Sequence, residues 1–172
     1  LMGERGNSFN RWLDRCAGIL LAACTSVLRV GKKGRPAAEP QRVGFICLGA
    51  IGDLLLLSAL ITALRERLPR AHFVLLTSRA NASTVPLIPG IDQSAAFSVT
   101  QVTDMVAWLR EQKLDVLIDS TQWARLGALL CNLSNARTTV GFDTAGQHRA
   151  FGYSFAVPHR NDRHEVEQFL EL

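Results

Sequence analysis

The sequence predicts an α/β domain: a mostly parallel sheet with helices on both faces, preceded by an N-terminal amphipathic helix. Three observations lead there. Short apolar runs rich in Val, Ile and Phe alternate along the chain with longer segments of helical spacing, the pattern of βα units. One junction is explicit: the run VGFICL passes through GAIGD directly into a leucine-rich helix that ends before Pro69. Finally, 172 residues with 48% hydrophobic and 20% charged side chains can bury a full core, which excludes disordered, collagen-like and acidic-tail classes.

Residues 8–30 (SFNRWLDRCAGILLAACTSVLRV) read as a helix with Ser8 or Asn10 as cap and no internal proline. Its uncharged stretch between Arg15 and Arg29 is 13 residues, short of the roughly 20 that span a bilayer. It lacks the flanks of a secretory signal. Trp12, Ile19, Leu20, Ala23, Val27 and Val30 share an apolar face, and Arg29, Lys32, Lys33 and Arg35 follow it. That combination suits an anionic membrane surface, and it equally suits a helix packed on the domain or on a partner. Residues 31–41 carry Gly34, Pro36 and Pro40 and read as a linker, so residues 1–41 form one unit and the α/β domain is expected over 42–158.

Within that domain, residues 43–48 are a strand buried on both faces. The helix follows from Leu54. Further strands are expected at 72–77, 94–99, 116–118, 138–141 and 153–157, with a short helix or irregular turn at 80–87 and helices at 103–111 and 123–133. The formal net charge of +4 owes much to the cluster after the first helix and does not demand a nucleic-acid partner, and no aromatics are placed for base stacking. Cys16, Cys24, Cys47 and Cys131 lack paired short spacings and read as buried free thiols of a reducing, cytoplasmic compartment. Four histidines show no metal-ligand spacing, so no metal site is expected.

Ligands of parallel sheets lie beyond the carboxyl ends of the strands. Residues 49–53, 77–79 and 119–125 should meet there. Gly49 and Gly52 permit a close turn at a helix N-terminus whose free N–H groups suit an anionic group. The segment DSTQWAR places a carboxylate, hydroxyls, the Gln122 amide and the Arg125 guanidinium on one short connection, where Thr121 and Gln122 are binding candidates or simple caps. Arg79 and Arg149 lie in loops expected at the same edge, and guanidinium groups pair well with phosphate oxygens. Asp53, in the first turn of its helix, is either an N-terminal cap or a base that accepts a hydroxyl proton; helix N–H groups favour its charged form. A dinucleotide fingerprint fails, because Ile51 stands where a glycine is needed and TSR at 77–79 offers no acid to a ribose. A P-loop fails too, for want of a terminal Lys-Ser or Lys-Thr.

The segment LGAIGDLLLLSALITALRERLP, followed by PGID at 89–92, WLREQKLDVLIDSTQ at 108–122, TTVGFD at 138–143 and HEVEQFLEL at 164–172, resembles the lipopolysaccharide heptosyltransferases of glycosyltransferase family 9. The resemblance covers residues 42–172. It implies a Rossmann-like, acceptor-binding half of a GT-B enzyme, with residues 159–172 starting a helix toward a second, nucleotide-sugar-binding domain that lies beyond this chain. It implies inverting transfer of a heptose-like sugar, no tightly bound cofactor, and an ADP-heptose donor held by that second domain. The acceptor would be a lipid-linked or phosphorylated oligosaccharide at the cytoplasmic face of the inner membrane. By motif, Asp53 becomes the catalytic base, and Gly49, Gly52, Arg79, Thr121, Gln122, Arg125 and Arg149 become acceptor-binding. The sequence departs from the family at Ser58 and at Arg125, where a lysine is common, and carries the N-terminal helix as an extension. Two other readings stay open: a non-catalytic α/β binding module tethered to a membrane or partner, and a nucleotide-dependent enzyme of another class.

Overall fold

The computed structural model describes residues 39–160 and 162–172. The N-terminal helix expected over residues 8–30, its membrane-binding face, and Cys16 and Cys24 all lie outside the described residues.

Six strands form one all-parallel sheet: β1 (Arg42–Cys47), β2 (His72–Ser78), β3 (Gln93–Phe97), β4 (Val116–Asp119), β5 (Thr138–Asp143) and β6 (Phe155–Pro158). Their spatial order is β3-β2-β1-β4-β5-β6, so the winding reverses between β1 and β4. The predicted α/β class and all six predicted strands are therefore present, with shifts of one or two residues at most of their ends. Helices α1 (Ile51–Arg67), α2 (Val102–Glu111), α3 (Arg125–Leu133) and α4 (Glu165–Leu170) complete it, with a 3₁₀ segment over Arg79–Leu87 where the short helix or turn was expected.

Strand side chains alternate faces, and both faces are buried, which is why the strands read as continuous apolar runs. Val43, Phe45, Phe73, Leu75 and Phe142 pack under α1 and α4, whereas Ile46, Val74, Leu76 and Leu117 pack under α2 and α3. In α1 the helical period sends Leu54, Leu57 and Ile61 inward, and Ile51 (43% exposed) and Leu55 (47%) outward. Four consecutive leucines cannot all face one core.

Two boundaries differ from expectation for local reasons. Helix α1 begins at Ile51 rather than Leu54, because the Asp53 carboxylate accepts the Ala50 N–H at 2.6 Å and draws Gly52 and Asp53 into the first turn. Helix α3 begins at Arg125, so Trp123 belongs to the loop that precedes it. Helix α4, the segment expected to lead away, packs against α1, and its Phe169 is fully buried with its ring 5.9 Å from that of Phe142. The core thus extends past residue 158.

Phe169→Ala should destabilise the domain by about 3 to 5 kcal/mol, the usual cost of emptying a buried phenylalanine site. Urea denaturation measures it, and a loss below about 1 kcal/mol would mean that α4 is not part of the cooperative core.

Candidate functional site

The reversal between β1 and β4 opens a crevice at their carboxyl ends. A cleft of about 330 Å³ occupies it, lined by Cys47, Leu48, Gly49, Asp53, Ser120, Thr121, Gln122, Trp123, Ala124 and Glu165. Four of the residues expected at the site, Gly49, Asp53, Thr121 and Gln122, meet there. Gly52 is not in the lining, although the space where its Cβ would stand is open.

The wall contributed by β1 is built from carbonyls that have run past the ladder and need donors. Ser120 supplies both its N–H (3.0 Å) and its hydroxyl (2.8 Å) to the Ile46 carbonyl, the Thr77 hydroxyl reaches Cys47 O at 2.8 Å, and the buried Asn81 amide reaches Gly49 O at 3.1 Å. Gly49 lets the Asp53 carboxylate lie where it does, since a Cβ would stand 2.0 Å from Asp53 Oδ2 and displace it. Asp53 is the third residue of α1 and half-buried, with one carboxylate oxygen held by the Ala50 N–H. Cys47 floors the cleft as a free thiol; burial, offset in part by a hydrogen bond with Ser120, pushes its pKa up from 9.0 to about 12.

The opposite wall hangs from Asp119, the last residue of β4. Its Oδ1 accepts the N–H (2.9 Å) and hydroxyl (2.6 Å) of Thr121. Its Oδ2 accepts the Tyr153 hydroxyl (2.6 Å) and Arg149 Nη2 (2.8 Å), an ion pair with both side chains wholly buried. Arg149 also donates to Thr121 O, Thr121 Oγ1 and Tyr153 Oη. Burial opposes the Arg149 charge, but Asp119 and Tyr153 outweigh it and raise its pKa; burial and the neighbouring Asp119 push Tyr153 well above the ordinary tyrosine range. Gly127 makes room, because a Cβ there would lie 2.0 Å from Asp119 Oδ2.

The three arginines expected as a cationic clamp do not meet at the cleft. Arg149, expected in a loop at the open edge, is 0% exposed and paired with Asp119. Arg125 is also buried, with Nε donating to Gln147 O at 2.8 Å. Arg79 is exposed but bonds Gln101 Oε1 at 2.9 Å, toward the β3 side of the sheet. None of the three lines the cleft. The physical reason is common to them: a guanidinium with unsatisfied acceptors nearby donates inward to the fold before it waits for a ligand.

Two of the lining residues outside the expected site, Trp123 and Glu165, add an aromatic ring and a carboxylate. Trp123 is 57% exposed at the rim, its ring 5.7 Å from that of His159, which sits 5.6 Å from Phe142. Burial lowers the His159 pKa. Glu165, the first residue of α4, brings a second carboxylate to the cleft. The Gln122 side-chain nitrogen is buried without a hydrogen-bond partner among the described residues, a state that costs about 1 to 3 kcal/mol until a ligand or water meets it. Among the described residues no group of three or more His, Cys, Asp or Glu could hold a metal ion, and no helix is long and apolar enough to cross a membrane.

No family model matches this sequence, and no curated protein matches it. Solved structures do match in fold. E. coli ADP-heptose LPS heptosyltransferase II superposes with a TM-score of 0.66 at 16% identity over 76% of this chain and 39% of that one. E. coli heptosyltransferase WaaC with ADP gives 0.67 at 18% identity, over 76% and 46%. A family 9 glycosyltransferase from Veillonella parvula gives 0.66 at 17%, over 76% and 39%. The shared feature is the fold, and this chain spans less than half the length of each of these proteins.

Two predictions follow from the walls of the cleft. Arg149→Met strands the Asp119 carboxylate and should cost about 3 to 5 kcal/mol in urea denaturation, with part recovered when Asp119→Asn is added; a loss below about 1 kcal/mol would remove the pair's structural role. The Cys47 thiol supplies a pH dependence of known sign. The unfolded thiol ionises near 9.0 while the folded one keeps its proton to about 12, so between those values the unfolded state binds fewer protons and stability falls as pH rises. The slope is about 1.4 kcal/mol per pH unit. Cys47→Ala should reduce the fall in stability between pH 9 and 10, where the onset of Tyr153 ionisation in the unfolded chain adds a smaller loss of the same sign.

Proposed function

We propose that this chain is the acceptor-side domain of a sugar-transferring enzyme, in which Asp53 accepts the proton of the attacking hydroxyl. The observation that carries this reading is the placement of the Asp53 carboxylate: it lines the β1/β4 crevice, tethered by one oxygen to the Ala50 N–H. The fold shared with heptosyltransferases supports the assignment. A nucleotide-sugar donor, of the ADP-heptose class named for one of these structures, would be presented from a second domain across the crevice.

The chemistry balances without a cofactor. The acceptor hydroxyl oxygen attacks the anomeric carbon from the face opposite the leaving phosphate, the new C–O bond forms as the bond to phosphate breaks, and the hydroxyl proton passes to Asp53. The nucleoside diphosphate departs with the bonding pair, and the anomeric centre inverts. Gly49, Thr121 and Gln122 line the acceptor side. An acceptor built on lipid-linked oligosaccharide fits this reading, and the apolar and basic sequence over residues 8–35 supports action at the cytoplasmic membrane surface.

Asp53→Asn keeps an oxygen for the Ala50 N–H but cannot accept the proton. In the enzyme carrying this domain, melting temperature should be nearly unchanged, while single-turnover transfer at saturating donor and acceptor falls about 100-fold to 10,000-fold. A chemical step within threefold of wild type would return Asp53 to the role of helix cap.

A further inference from the structure

The cleft departs from what a phosphate-binding acceptor site requires. Its ionisable side chains with a carboxylate are Asp53 and Glu165, and no lysine or arginine is among its lining residues. The Arg149 guanidinium behind the wall is wholly buried and neutralised by Asp119. Among the described residues, a dianionic group entering here would meet two carboxylates and no lysine or arginine in the lining, in a concave site that weakens solvent screening. The remaining lining is suited to hydroxyl-rich, uncharged matter: carboxylates accept hydroxyl protons, and Ser120, Thr121 and Gln122 bring further polar side chains.

Trp123 gives the site its shape preference. It is exposed at the rim although indole normally favours burial, and it is held in place by the edge contacts that run from Trp123 through His159 and Phe142 to Phe169 in the core. The negative face of an indole attracts the C–H groups of a pyranose, which are polarised positive by neighbouring oxygens. A rigid aromatic surface next to convergent hydrogen-bonding groups is the composition of a small-molecule site.

We propose that this cleft receives an uncharged pyranose ring of the acceptor, seated on Trp123, and that phosphate or carboxylate groups of the acceptor lie outside it. The inference rests on the acceptor-site reading of the same cleft and narrows its substrate class.

The test uses the full 172-residue chain and two probes that share one ring, methyl α-D-mannopyranoside and mannose 6-phosphate, followed by saturation-transfer and ¹H–¹⁵N NMR at low ionic strength. The neutral glycoside should shift the Trp123 indole signal and bind at least about fivefold more tightly than the phosphate, with the gap narrowing as salt is added. Trp123→Ala, a substitution at an exposed position, should weaken the glycoside about tenfold or more with an unchanged melting temperature, whereas Trp123→Phe stays within about threefold. Glu165→Gln should raise the affinity for the phosphate relative to the glycoside. Equal or tighter binding of mannose 6-phosphate at the cleft would overturn the neutral-ring inference while leaving a sugar site in place. Glycoside binding unaltered by Trp123→Ala would overturn the aromatic seat. If neither sugar perturbs any cleft residue, the acceptor-site reading falls and this inference falls with it.

Discussion

The buried pair of Asp119 and Arg149 is the interaction on which the site depends. A carboxylate at the end of a central strand would ordinarily be a liability, since two buried charges are tolerated only when nearly every polar atom around them is satisfied. Here Asp119 accepts four hydrogen bonds, from Thr121, Tyr153 and Arg149. Those bonds define where the chain goes after β4. Ser120 is thereby delivered to the Ile46 carbonyl, which locks the end of β4 to the end of β1. The crevice between the two strands has fixed walls because the carboxylate behind one of them is held by these four bonds, while Arg149 Nε is left without a partner among the described residues.

The facing wall solves a different problem with the same side chain that would do the chemistry. The first N–H groups of a helix have no intrahelical acceptors, and Asp53 takes one of them from Ala50. This holds the carboxylate at the crevice while leaving its second oxygen to face other partners. The close approach of Gly49 makes that geometry available. Capping and the proposed proton transfer are therefore compatible, since one oxygen would serve each, and precise placement of a base relative to its substrate is worth more than a large change in its basicity.

Motifs that carry the family resemblance divide between site and scaffold. The glycine turn with Asp53 and the DSTQ segment border the cleft. The PGID segment does not: Asp92 accepts the Phe73 N–H at 2.7 Å and pairs with Arg65 at 2.7 Å, clamping the last turns of α1 to the start of β2 at the opposite end of the sheet. Arg65 also lies over the Phe73 ring at 4.0 Å. A motif of this kind records how the βα units are held in register, and its presence is information about fold before it is information about chemistry.

The class of fold was legible in the sequence because hydrophobic period is a local property. The run at 43–48 had to be a doubly buried strand, the turn GAIGD had to pass it into a helix, and parallel strands joined by helices had to leave their ligand site at the carboxyl ends. Gly49, Asp53, Thr121 and Gln122 follow from that logic alone. Tertiary structure decided the rest. Whether an arginine faces solvent depends on what stands beside it, and the acceptor that draws Arg149 inward is Asp119, 30 residues earlier in the chain. Trp123 and Glu165 lie on separate connections, and only the docking of α4 on α1 brings the second to the cleft that the first overlooks. Side-chain patterns assign each element a buried face, but charge pairing and the convergence of loops arise between elements, where sequence spacing carries no distance.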